Sequence, residues 1–218
     1  MFKRSLLLSV MTLFFAVVGF SVVNADGPIE GRVGRAEMRF LEGMMNHHQM
    51  AVDMANDCLA KATTGSVRIT CQNIIDAQTA EIATMQEWLM SWYNISYAPM
   101  SMSDMTAMMG SEAGMEGMDH NMEGMATADP AMPMPMTDPA MMGMMAGLNH
   151  LEGVEYEIAW LESMIDHHDD AIHMAERILA RDSEGTAHVE LREMAQKIIT
   201  DQTAEIEHME TMLTELAG

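Results

Sequence analysis

From Leu41 to Leu89 apolar positions recur every three or four residues, in two runs. The first takes in Leu41, Met44, His48, Val52, Ala55 and Leu59, and the second Cys71, Ile74, Gln78, Ile82, Met85 and Leu89. That spacing marks one buried face on each of two helices, and neither run alternates as a half-buried strand does. Proline is absent from both. Thr63-Thr64-Gly65-Ser66 separates them, with Gly65 placed to cap the first helix at its C-terminus. The pattern predicts an αα-hairpin.

The hairpin has a copy. Residues 40–60, FLEGMMNHHQMAVDMANDCLA, return at 160–180 as WLESMIDHHDDAIHMAERILA, an offset of 120. QTAEI at 78–82 returns at 202–206, with Met85 and Met209 following, at an offset of 124. The second copy thus carries four more residues between its blocks, and they belong in the turn at Ser183-Glu184-Gly185-Thr186. A lone hairpin of this length cannot bury enough of its apolar stripe to be stable. Two in one chain predict an all-α fold, an antiparallel four-helix bundle built from duplicated hairpins at 26–93 and 151–218.

Residues 94–150 break the pattern. Between 100 and 145 there are 16 methionines, mixed with Gly, Pro, Ser, Ala, Asp and Glu, and no Lys or Arg occurs from 69 to 176. Pro130, Pro133, Pro135 and Pro139 rule out a continuous helix there. The expectation is a disordered, Met-rich linker. At the other end, Lys3 and Arg4, the apolar stretch Leu6–Phe20 and Val23-Asn24-Ala25 form a secretory signal over 1–25, cleaved after Ala25. An uncleaved anchor is the alternative, since Ser5–Val23 is 19 residues of low polarity. The mature chain is expected in the periplasm or otherwise exported, with no membrane association after cleavage.

Charge narrows the function. The chain carries 11 Lys+Arg against 33 Asp+Glu, a formal charge of −22, which argues against binding nucleic acid or an anionic membrane surface. The apolar content leans on 30 methionines rather than on aromatic residues. The two cysteines, Cys58 and Cys71, stand at equal distances from the first turn, so they share a level on facing helices. Export favours a disulfide between them, with a thiol metal site as the alternative. Ile178 and Ala195 occupy the matching positions in the copy.

Folding the first hairpin about that turn sets His48 opposite Glu81 and Met44 opposite Met85. One level then gathers Met44, His47, His48, Glu81 and Met85, with Met50 and Met54 a turn or two away. The copy offers Met164, His167, His168, Glu205 and Met209, with His173, Met174 and His208 nearby. Soft thioethers with intermediate imidazoles suit Cu(I) and its mimic Ag(I), whereas Mg²⁺ or Ca²⁺ would require clustered oxygens. Methionine at helical spacing also serves as core filling, but adjacent buried histidines need polar partners. In the linker, Met115, Met118, Met122 and Met125 surround His120, a chain able to wrap thioethers around one Cu(I) ion. A spacer or a sacrificial sink for oxidants is the competing reading of that segment.

The paired M-x-x-H-H-x-x-A-x-x-M-A and Q-T-A-E-I-x-x-M blocks, over 40–93 and 155–213, resemble a bacterial family of exported, ferritin-like helical proteins long of unknown function. Some of its members are periplasmic copper metallochaperones of the CopM type. The resemblance implies a four-helix bundle binding Cu(I) or Ag(I) through Met44, His47, His48, Met54 and Met85, then Met164, His167, His168, Met174 and Met209. Two departures, Met50 to Asp170 and Asp53 to His173, leave the halves free to differ in metal preference. The expected function is non-catalytic: sequestering or ferrying Cu(I) for copper tolerance, with Cu(II) as a further ligand. A copper exporter or an exported cuproprotein is the expected delivery partner. The rivals are a ferritin-like di-metal oxidase, for which only Glu205-x-x-His208 fits the Glu-x-x-His requirement, and a metal-free helical scaffold or oxidant sink.

Overall fold

The computed structural model describes residues 27–104, 147–182 and 185–218. The expected signal segment 1–25 and most of the expected linker, with Met115, Met118, His120, Met122 and Met125, lie outside the described residues. Four long helices follow one another: α1 Gly31–Lys61, α2 Gly65–Tyr93, α3 Gly153–Arg181 and α4 Val189–Ala217. They form two hairpins, α1–α2 and α3–α4, joined along α1 and α3. At 29 to 31 residues each helix is about 45 Å long. No described helix is long and apolar enough to cross a membrane.

The first turn departs from expectation. Gly65 does not cap α1; it opens α2, and the connection is only Ala62–Thr64, extended at both caps. The reason lies in the other hairpin. The buried carboxylate of Glu157, on α3, accepts from the backbone N–H groups of Thr63 (2.6 Å) and Thr64 (2.8 Å) and from both hydroxyls. It supplies the acceptor that the first turn of α2 needs, so no glycine stop is required. Glu37, 120 positions earlier on α1, does the same for α4, accepting from the backbone N–H of His188 at 2.7 Å. Each hairpin therefore caps the second helix of the other. The longer turn of the second hairpin spans 182–188, and Gly185 supplies its positive φ of 65°.

α1 and α3 run antiparallel: Trp160 donates to the Met54 carbonyl at 2.9 Å and Tyr156 to Asp57 at 2.9 Å. This crossing divides the core in two. One cluster joins Met50, Ala51, Met54, Cys58, Val67, Ile74, Tyr156, Trp160, Met164, Met209 and Met212; the other joins Phe40, Leu41, Met44, Met45, Met85, Trp88, Ala171, Leu191 and Ile198. Cys58 and Cys71 are bonded as a disulfide within the first cluster. Ile178 and Ala195, which match them in the copy, pack in the second.

The linker's first residues are seated on the bundle. Tyr97 accepts from Asn46 at 2.6 Å, its carbonyl from Gln86 at 3.0 Å, and the Met102 N–H binds Asp53 at 2.7 Å. Leu148, at the linker's other end, is buried in the first core cluster.

Candidate metal centre

Between the two apolar clusters lies a polar layer. His47 and His48 project from α1, and His167 and His168 from α3; all four are fully buried. Helical periodicity puts them there, because Met44 and Ala51 flank the first pair at three- and four-residue spacing, and Met164 and Ala171 the second. The rings of His47 and His167 meet across the α1–α3 contact, with centroids 3.7 Å apart.

Carboxylates fix the ring orientations. His48 Nε2 lies 2.8 Å from Glu81 and His168 Nε2 lies 2.7 Å from Glu205. His167 Nε2 lies 2.9 Å from the His47 carbonyl. Each of these acceptors takes the proton of Nε2, so that in a neutral ring the lone pair is on Nδ1. The Nδ1 atoms of His48, His167 and His168 and both ring nitrogens of His47 are buried without a hydrogen-bond partner.

Electrostatics keep this layer uncharged at its centre. Burial pushes His47 well below the usual imidazole range, and the neighbouring His48 and His168 push it the same way. His167 is lowered too, by burial first and then by His47, His168 and His48. Glu81 moves down: burial would raise it, but His48 and Lys197 together outweigh that. Neutral imidazoles with free lone pairs are the metal-binding form of histidine.

The expected residues separate into groups. Met44 and Met85 share one core cluster, bordering the histidine layer on one side; Met50, Met54, Met164 and Met209 share the other. Met174 is half-buried at the edge of the second cluster. His173 is turned outward, 55% exposed, toward Asp169 and Glu176, and does not join the layer. His208 is exposed on α4, so Glu205-x-x-His208 does not line the core as a di-metal site requires. Among the described residues, no three His, Cys, Asp or Glu side chains are arranged to hold a metal ion by themselves. A site here needs an ion content with two or three donors, or with thioethers completing the set.

Two residues of the layer escaped the reading of the sequence as ligands. Gln78 and Gln202 are 2% and 4% exposed, and both amide atoms of Gln78 and Oε1 of Gln202 have no partner. The signal was present: a glutamine on an otherwise apolar helical stripe, repeated in both QTAEI blocks. Glu37 and Glu157 were missed because each acts on the other hairpin.

The family described as Domain of unknown function (DUF305) matches residues 37–213. The chain belongs to the DUF305 family. Its span begins at Glu37, the first of the two crossed capping residues, and ends past Met212. Solved structures agree with the fold. A DUF305 protein from Streptomyces coelicolor, whose secretion is inferred, is 24% identical, with 84% of this chain and 93% of that one aligned and a TM-score of 0.57. CopM in its Cu(II)-bound form is 26% identical over 81% of this chain and 94% of that one, with a TM-score of 0.53. CopM in its Cu(I)-bound form is 23% identical over 84% and 98%, with a TM-score of 0.57. No curated protein sequence matches the chain significantly.

Proposed function

We propose that this DUF305 protein is an exported copper-binding protein that sequesters or ferries Cu(I), and takes Ag(I) in its place, contributing to copper tolerance. The observation that carries this reading is the buried layer of four histidines, with five unpartnered ring nitrogens, set between two methionine-bearing clusters. An unpartnered buried polar atom costs about 1–3 kcal/mol, and five such ring nitrogens in one layer are a standing cost unless a ligand relieves it. The ligand must accept imidazole lone pairs, tolerate few oxygens and accept thioether sulfur. Cu(I) and Ag(I) do all three. His47 with His48, and His167 with His168, would each supply imidazole donors to an ion, with Met44 and Met164 a helical turn away and Met85 and Met209 on the paired helices as the thioethers. The likeness to CopM in Cu(I)-, Cu(II)- and Ag-bound forms supports this choice of ion.

Met50, Met54, Met174 and His173 are proposed as outlying donors, and Met115, Met118, His120, Met122 and Met125 as a looser site of higher capacity. Cu(II) is a further candidate ligand at the acidic, histidine-bearing surface. The delivery partner would be a copper exporter or an exported cuproprotein.

The test is an anaerobic Cu(I) titration of the mature protein against a competing chelator, beside a variant lacking residues 100–145. Tight equivalents that survive the deletion support sites in the bundle. Binding lost with the deletion assigns the function to the Met-rich segment alone. Failure of both proteins to compete for Cu(I) overturns the copper reading and leaves a scaffold or an oxidant sink.

A further inference from the structure

The two histidine–carboxylate pairs are built on the same repeat but differ in what else the carboxylate holds. Glu81 holds His48 with one oxygen, and with the other it accepts from Lys197 of α4 at 3.0 Å. The same ammonium binds Asp201 at 2.6 Å, so it is pinned between two carboxylates. Glu205 holds His168 and, among the described residues, makes no ion pair with a lysine or arginine. The position that would answer Lys197 across the repeat is Asn73, and Ala77 answers Asp201. Exposure differs in step: the Glu81 side chain is 14% exposed, and that of Glu205 33%.

A carboxylate behind a histidine raises the basicity of the ring nitrogen that faces the metal. Sharing that carboxylate with an ammonium reduces the charge it can lend to the ring, an effect on Glu81 itself that remains although Asp201 offsets the field of the ammonium further away. We propose that the two pairs load in order: the α3 pair, backed by Glu205, takes a soft monovalent cation first, and Lys197 holds the α1 pair in reserve. This rests on the copper reading above and adds to it a graded response from a duplicated fold. Lys197 is a positioning residue, acting on His48 through Glu81.

The probe is Ag(I), added to the mature protein in chloride-free buffer while the histidine ring nitrogens are followed by long-range ¹H–¹⁵N NMR. His168 should respond at lower Ag(I) than His48, with apparent affinities about three- to tenfold apart, a gap that narrows as salt screens Lys197. Lys197→Met should bring His48 into step with His168, and Lys197→Arg should restore the order. Lys197 is 59% exposed, so both variants should fold, and thermal unfolding followed by circular dichroism checks that they do. Simultaneous response of the two pairs in the native protein, His48 moving first, or an order untouched by Lys197→Met overturns the proposal while leaving metal binding intact. No response at any histidine overturns the histidine sites of the bundle on which it rests.

Discussion

His47 and His167 are placed where a leucine would stabilise the bundle more. Both rings are fully buried, and between them they leave three ring nitrogens without a partner. Replacing both by leucine removes those orphan atoms at similar volume, so the metal-free protein should gain about 1–3 kcal/mol against urea. The same double variant should lose its tight equivalent of Cu(I). A loss of stability in the metal-free variant would mean that the rings are satisfied in solution and that the layer is structural. The histidines were legible from the sequence because adjacent polar residues interrupt an apolar stripe twice, at one offset. Gln78 and Gln202 interrupt their stripes at the same level but singly, and a single amide on a stripe is easily absorbed as part of the core pattern.

At the scale of elements, the crossed carboxylates are the joints of the molecule. Glu157→Ala strands the N–H groups of Thr63 and Thr64, and Glu37→Ala strands that of His188 and frees Tyr93 and the His188 ring. Each should cost about 2–4 kcal/mol in urea unfolding, more than an exposed helix cap, because the groups left behind are buried. The disulfide closes a sequence separation of 13 residues, and its reduction should cost about 3 kcal/mol on the chain-entropy account. Both measurements are equilibrium unfolding curves, and a Glu157→Ala protein as stable as the parent would remove the crossed caps from the account of the fold. Helix positions, the duplication and the place of the extra turn residues could all be read from periodicity. The end of α1 could not: local rules assigned Gly65 to a stop, and an acceptor contributed by a helix more than 90 residues away made that stop unnecessary.

For the whole molecule, the buried layer couples stability to pH. In the unfolded chain the imidazoles of His47 and His167 take a proton near pH 6.5, but in the fold only well below it. Between those values the unfolded state binds more protons, so stability should fall as pH drops below about 6.5. Glu157 adds to this at lower pH: its folded value lies below the usual 4.5, and its contribution is lost as pH falls through that value. Thermal midpoints taken from pH 7.5 to pH 5 should therefore decrease, and His47→Leu/His167→Leu should flatten the upper part of that slope. A flat profile in the native protein would show that the two rings titrate as free histidines. A ligand that binds only the folded layer should also raise the midpoint by mass action, and Ag(I) provides that measurement.

The sequence by itself determined the elements and their pairing within each half. Apolar spacing defines the helices, and folding each hairpin about its turn sets His48 beside Glu81, because a short turn leaves antiparallel helices only one register. Duplication then implies that two such units share one core. Tertiary structure alone decided how the halves meet. The antiparallel crossing of α1 and α3 brings His47 against His167 and sorts Met164 and Met209 with Met50 and Met54 rather than with Met44 and Met85. It also carries Lys197 to Glu81, but, among the described residues, no lysine or arginine to Glu205. Those contacts join residues about 100 or more positions apart, and no local periodicity encodes them. They arise because two amphipathic hairpins have to bury their remaining apolar faces against each other.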